Sequence, residues 1–451
     1  MSRRKALKLG ASALLASLAG SKVAATVFDT KKKPIKEFGK VYSYLKKAEL
    51  RDKEKSNALD YLTDSALLDE KQGLALIEIK GADFSGEDFY GIWKNYHFIN
   101  CHFPASQFIR LEKTINCTFT DCDFGPGRKD VALSFGRMEN CHFHRCKFLN
   151  GNIVFGRGEG SFVDCTFTNT TTHRRNDFFR NYLLSGGGLL LTNCRFYNVD
   201  LGADTKLHMK SCQYVPTVFE SGQLNSGKKF TADFILEDTQ FTLAKEIFWN
   251  NKFNNLTLRG CRVEGLFSTL GSHIKDTITL EGLSVGTYYV ARTGTEKSII
   301  VRDCNFSEIY SETGYLFSCS GSYAVEFLME RVVCTDAAPC NLTGAGPNTT
   351  EKFFWEFPRN QTFTLRNCKI PRLMVNGLMT YRLVIENCEF GTLELRNARP
   401  GKVTIKNTKF ATLDLTRTLA EKFEIDAVGT GRIITDESNY PNGGFKIDKG
   451  K

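Results

Sequence analysis

Two interleaved columns with a five-residue period run through residues 383 to 425. Leu383, Cys388, Leu393, Ala398, Val403, Thr408, Leu413, Thr418 and Phe423 form the first. Ile385, Phe390, Leu395, Pro400, Ile405, Phe410, Leu415, Ala420 and Ile425 form the second. A helix repeats every 3.6 residues and a flat strand every second residue, so neither generates this spacing. A chain that turns a corner after every fifth residue does. Two residues of each quintet then point inward, and four such segments close one coil. Successive coils stack about 4.8 Å apart as a parallel β ladder.

A looser form of the pattern extends from Leu74 to about Ile434, as apolar-x-apolar-x-Asn/Asp-Cys-x-Phe. Cys368, Cys388 and Thr408 are 20 residues apart, Cys261 and Leu283 are 22, and Leu283 and Cys304 are 21. Cys165 and Cys194 are 29 apart, the excess being the polar insert NTTTHRRNDFFRNYLLSGGG. Repeats of this length mark a solenoid, each coil burying its face against the next. The motif predicts an interior cysteine column of Cys101, Cys117, Cys141, Cys165, Cys194, Cys212, Cys261, Cys304, Cys368 and Cys388, with thiols acting as small hydrophobes. An aromatic column two residues on takes Phe103, Phe119, Phe143, Phe167, Phe196, Phe390 and Phe410. The Asn or Asp before each Cys is expected at a corner, where a left-handed backbone is tolerated.

Quintets such as ADFSG at Ala82, CTFTD at Cys117, CDFGP at Cys122, CHFHR at Cys141 and CKFLN at Cys146 resemble those of the pentapeptide-repeat family. Thirteen quintets from Phe363 to Ile425 keep this register. The resemblance implies a right-handed parallel solenoid of four-sided coils. Between Cys165 and Thr350 the variable spacing is more similar to a general right-handed parallel β-helix. The fold class expected is all-β: a right-handed parallel β-helix with coils of about 20 residues or more over residues 73–434, a short N-terminal linker and helical cap over 26–72, and a C-terminal tail over 435–451.

The first 25 residues, MSRRKALKLGASALLASLAGSKVAA, join a basic start to an apolar run too short to span a membrane and to small residues before Ala25. This is the form of a cleaved signal peptide, with an uncleaved anchor as the other reading. Ser2-Arg3-Arg4-Lys5-Ala6-Leu7-Lys8 resembles the twin-arginine export motif, with Ala6 where that family usually has Phe; a general secretory signal remains the alternative route. The expected location is the periplasm or cell surface, with no transmembrane span after cleavage. The formal charge of +10 falls to about +5 once the five basic residues of this segment are set aside. That bias is too small to argue for nucleic acid.

The repeat leaves chemistry to the outward positions. His102, Thr118, His142, Thr166 and Arg195 are expected in one outward column, and Asp121, Asp123, Arg145 and Lys147 on the next face. Parallel β-helix enzymes acting on acidic polysaccharides abstract a sugar proton with a basic residue, which makes His142, His144, Arg145, Asp121 and Asp123 the candidate catalytic residues. No motif of those families matches. The cysteine pairs at C-x4-C spacing face inward while His142 and His144 face outward, so no metal site is expected, and no cofactor motif is present. Cys334 and Cys340 are candidates for a disulfide; the state of Cys319 is open. The favoured function is an exported binding or structural protein of the bacterial cell envelope, contacting a glycan or an envelope protein. Its contacts would use loops near 170–188, 218–232, 310–325 and 341–360, the last with Phe353, Phe354 and Trp355. A polysaccharide lyase or epimerase is the alternative.

Overall fold

The computed structural model describes residues 28–29, 77–84, 89–103, 109–125, 132–149, 152–168, 184–197, 199, 201–215, 224–226, 233–244, 252–269, 272–289, 294–307, 317–318, 324–335, 338–342, 362–428, 431–436 and 445–449. Contacts divide the chain into two compact units, Met1–Thr205 and Lys206–Lys451. Each is a parallel β-solenoid, and among the described residues there is no helix. The signal segment, most of the expected cap, Cys319 and the Phe353-Phe354-Trp355 patch lie outside the described residues, as does most of each expected loop. The described piece of the 26–72 segment, Phe28–Asp29, is a strand paired with Ile79–Lys80.

In the first unit one face is built by Ile77–Lys80, Tyr96–Ile99, Thr118–Thr120 and the ends of Ala132–His144, Asn152–Val163 and Leu184–Thr192. After a corner, a second face is built by His102–Phe103, Asp123–Phe124, Lys147–Leu149, Thr166–Thr168 and Arg195–Tyr197. The corner residues Asn100, Asp121, Arg145, Asp164 and Asn193 have φ of 50°, 53°, 52°, 57° and 52°. Asn and Asp take this left-handed backbone at lower cost than most side chains, which explains their place before the inward residue. The corner N–H groups of Asn100, Asp121, Arg145 and Asp164 donate to the coil ahead, as Asp121 N does to His144 O at 3.0 Å and Asp164 N to Thr192 O at 3.0 Å.

This register divides the expected single cysteine column in two. The residues following the corner are Ala82, Cys101, Cys122, Cys146, Cys165 and Cys194, all buried. Cys117 and Cys141 follow a different corner, at Asn95, Asn116 and Asn140, one quintet earlier in the same coils. The aromatic column divides likewise. Phe84, Phe103, Phe124, Phe148, Phe167 and Phe196 stack with successive centroids 4.8, 4.8, 4.7, 4.6 and 4.9 Å apart. Phe119 and Phe143 belong to a second stack with Phe98 and Phe162, at 5.0, 4.6 and 4.6 Å. Two Cys-x-Phe quintets fall in one coil, so a motif that looks like one per coil is two per coil here. The two stacks meet edge to face, as Phe119 and Phe124 do at 5.7 Å and 63°, an arrangement that suits the aromatic quadrupole.

The second unit contains the strict quintets. Leu383 pairs with Val403 and Leu393 with Leu413, and Asn407 Nδ2 donates to Asn387 Oδ1 across 20 residues at 2.7 Å. Both columns that begin at Leu383 and Ile385 are buried throughout except at Ala420, which is half-exposed. Every fourth corner is a β-turn: Leu378 N donates to Val375 O, Ala398 N to Leu395 O and Thr418 N to Leu415 O, at 3.3, 3.2 and 2.9 Å. Gly377, Asn397 and Arg417 supply the positive φ (66°, 56° and 55°) at the third turn position, as a type II turn requires. A small additional sheet joins Lys252–Phe253, His273–Ile274 and Gly294–Thr295. Residues 435–451, expected as a tail, carry the strand Phe445–Lys449, which pairs with Lys422–Ala427. The coils therefore continue past residue 434.

The ladder thiols have a shared bonding pattern. Cys101, Cys122, Cys146 and Cys165 donate to the carbonyls of Ile79, Phe98, Phe119 and Phe143 in the preceding coil, at 3.3, 3.4, 3.4 and 3.4 Å. Cys261 and Cys368 do the same to Leu236 and Met329 at 3.2 and 3.5 Å. Burial pushes Cys141 up to about 11, and Cys261 and Cys304 up to about 12. These are inert core groups.

Candidate functional site

The outward candidates follow the same register. His97, Thr118, His142 and Ser161 form one column on the first face. His102, Asp123, Lys147, Thr166 and Arg195 form another on the second. The expected column of His102, Thr118, His142, Thr166 and Arg195 is thus two columns on two faces, and Asp123 stands beside His102 rather than a face away. The cause is again the pair of Cys-x-Phe quintets in each coil.

Of the five candidate catalytic residues, His142 and His144 stand before the corner, Asp121 and Arg145 on it, and Asp123 after it. The two His rings are 6.4 Å apart. His142 Nε2 is 2.9 Å from Asn140 Oδ1, and burial, then the neighbouring His144, holds it below its ordinary value. Arg145 donates to both oxygens of Asp121, from Nε and Nη2, each at 2.8 Å. That bidentate grip holds the Asp121 carboxyl below the ordinary carboxylate range. An equivalent pair occurs in the second unit: Arg331 (φ 52°) donates to Asp303 (φ 55°) from Nε at 2.6 Å and Nη2 at 2.9 Å. An exposed Arg over an Asp at matching corners of both units is a clasp between coils. It leaves neither partner available as a base.

Beyond the corner lies a groove of about 490 Å³, lined by the corner residues Asp121, Arg145 and Asp164 and by Asp123, Lys147, Thr166 and Arg195 of the second face. Asp164 accepts a hydrogen bond from Asn193 Nδ2. Lys147 Nζ is 3.8 Å from Asp123 Oδ1, both groups well exposed. Among the described residues neither Thr166 nor Arg195 has a side-chain partner. Lys147 and Arg195 are two coils apart, about 10 Å, with the Thr166 hydroxyl between them. The next outward column holds Leu149, Thr168 and Tyr197, with Leu149 38% and Tyr197 39% exposed. The motif places Asp164 and Asn193 at corners but not in a groove, and Leu149 and Tyr197, after its Phe, are not marked by it.

Among the described residues no three His, Cys, Asp or Glu side chains are grouped to hold a metal ion, and no helix is long and apolar enough to cross a membrane. No family model, curated protein or solved structure matches the chain. The groove's three cations face three carboxylates: Arg145 is held by Asp121 and Lys147 lies near Asp123, while Arg195 and the Thr166 hydroxyl have no side-chain partner among the described residues, next to an apolar column. That combination suits a ligand with spaced anionic groups and an apolar face.

Proposed function

We propose that the chain is an exported β-solenoid of the bacterial cell envelope that binds an acidic glycan along this outer face without turning it over. The observation that carries the reading is the column of Lys147, Thr166 and Arg195, the last two without a side-chain partner among the described residues, beside exposed Tyr197. Sugar acids or sulfates pair with such cations, and a sugar ring presents its C–H face to an aromatic side chain. Against catalysis stands the dispersal of the candidate residues over two faces, with Arg145 and Asp121 engaged with each other.

The test is to screen the full chain against polyuronate, sulfated and neutral glycans, reading binding by calorimetry and turnover by new reducing ends or unsaturated products. Binding to acidic glycans that weakens with salt, and weakens again in Lys147→Gln and Arg195→Gln, is the expected result. Turnover read this way would give the lyase reading instead, and a changed uronate stereochemistry by NMR the epimerase reading; an absence of binding to every acidic glycan overturns the proposal. Export is tested separately. Replacing both Arg3 and Arg4 by Lys is expected to leave uncleaved precursor in the cytoplasm, and normal export of that variant removes the twin-arginine reading.

A further inference from the structure

Two cysteines depart from the ladder pattern. Cys334 stands where neighbouring coils place large side chains: it pairs with Phe306, and Val333 beside it pairs with Lys369, next to Ile370. Cys340 belongs to the following face, between Phe317 and Leu373. Both are buried, at 3% and 0% exposure. Their sulfurs lie 3.0 Å apart across the coil interior, where either S–H can donate to the other. Ladder thiols such as Cys101, Cys122, Cys146 and Cys165 donate to backbone carbonyls of the preceding coil, and stacked neighbours such as Cys101 and Cys122 also interact with each other along the ladder. Stacked ladder thiols point the same way, which opposes the near-perpendicular torsion of a disulfide. Cys334 and Cys340 point toward each other from two faces of one coil.

We infer that Cys334 and Cys340 are a dithiol site that closes to an intrachain disulfide while the ladder cysteines remain thiols. The oxidant is a disulfide, either a small-molecule one such as oxidised glutathione or that of a thiol oxidoreductase. One thiolate attacks the oxidant, forming a mixed disulfide and releasing a thiolate. The second thiolate then attacks the protein sulfur of that mixed disulfide, forming the Cys334–Cys340 bond and releasing the other half. Two electrons pass to the oxidant, and the two protons given up by the cysteines go to the released thiolates. Access comes from opening of the two-residue strands Val333–Cys334 and Cys340–Asn341, since segments with few paired groups open most readily. The reaction is therefore faster during folding than in the folded chain.

The inference is independent of any ligand. The full chain is exposed to oxidised glutathione in two arms: folded, and during refolding from the denatured, reduced state. It is then denatured in alkylating agent and digested, and the peptides are weighed. The expected product is a Cys334–Cys340 linked peptide lacking two hydrogens, forming faster in the refolding arm, with Cys101, Cys122, Cys146 and Cys165 recovered alkylated. The oxidised protein should unfold at higher urea than the same sample treated with dithiothreitol. A Cys334→Ser/Cys340→Ser variant should show no such difference. Recovery of both residues as alkylated thiols in both arms overturns the inference, and so does a disulfide spread across the ladder.

Discussion

Phe167 and Phe196 stack with ring centroids 4.9 Å apart and planes 6° from parallel, although the polar insert at residues 169–188 separates them in sequence. The ring stack does not register the insertion. Asp164 and Asn193 keep the corner in step on either side of it, hydrogen-bonded to each other. Register in this fold is therefore set coil by coil through its corners, and length added between strands stays outside that account.

Replacing residues 172–180 by a short Gly-Ser linker is accordingly expected to move the urea midpoint little, because loop closure depends only weakly on length. Phe196→Ala should cost about 3–5 kcal/mol. Equal losses from the two changes, measured by urea unfolding, would mean that the insert takes part in the core.

Phe390 is buried and its neighbour Glu389 faces solvent, 3.5 Å from Lys369 across the ladder. Phe390→Asp places an unpaired carboxylate in the interior and should cost several kcal/mol. Glu389→Gln removes an exposed ion pair and should cost about 1 kcal/mol or less. Chemical denaturation of both variants checks the inward assignment; similar costs would refute it.

Asn387 has φ of 55° and its Oδ1 accepts from Asn407 Nδ2 at 2.7 Å. Asn387→Ala loses this bond and the side chain that tolerates the left-handed backbone, for a combined cost of about 2 kcal/mol. Asn387→Gly loses the bond without the backbone cost and should be the milder change. Thermal unfolding that ranks alanine above glycine would contradict the backbone account.

Cys261 and Cys304 are raised by burial from 9.0 to about 12. Between those values the unfolded chain has lost these protons while the folded chain retains them. Their contribution is thus complete below about pH 9 and declines as pH rises toward 12, by about 1.4 kcal/mol per pH unit for each thiol. Urea midpoints at pH 8 and 10.5 should fall more steeply for the parent than for Cys261→Ala/Cys304→Ala. Parallel declines would show that these thiols do not carry the effect.

The strict quintets were legible because nothing interrupts them: Leu383 to Val403 is one coil in the sequence and one rung in the ladder. The motif's Asn and Asp residues also marked the corners: among the described residues, thirteen of the seventeen non-glycine residues with positive φ are Asn or Asp, including Asn100, Asp164, Asn367 and Asn387. What failed was the count of motifs per coil. Cys117 and Cys122 satisfy the same local pattern, and only hydrogen bonding between coils shows that Cys122, not Cys117, continues from Cys101. That error carried Phe119, Phe143 and the His142 column with it. The groove could not be read from sequence because its members lie in successive coils, joined by register alone.

A ladder whose rungs repeat every 20 residues also makes chain length a free variable at those rungs. Excising residues 388–407 would join Asn387 to Thr408, and Thr408 occupies the same inward place after a corner as Cys388. Lys409 and Phe410 would then follow where Glu389 and Phe390 had been, and Leu365 would still meet Ile385 below the seam. Such a protein can gain or shed a storey by a single in-frame recombination event, leaving the floors on either side furnished as before.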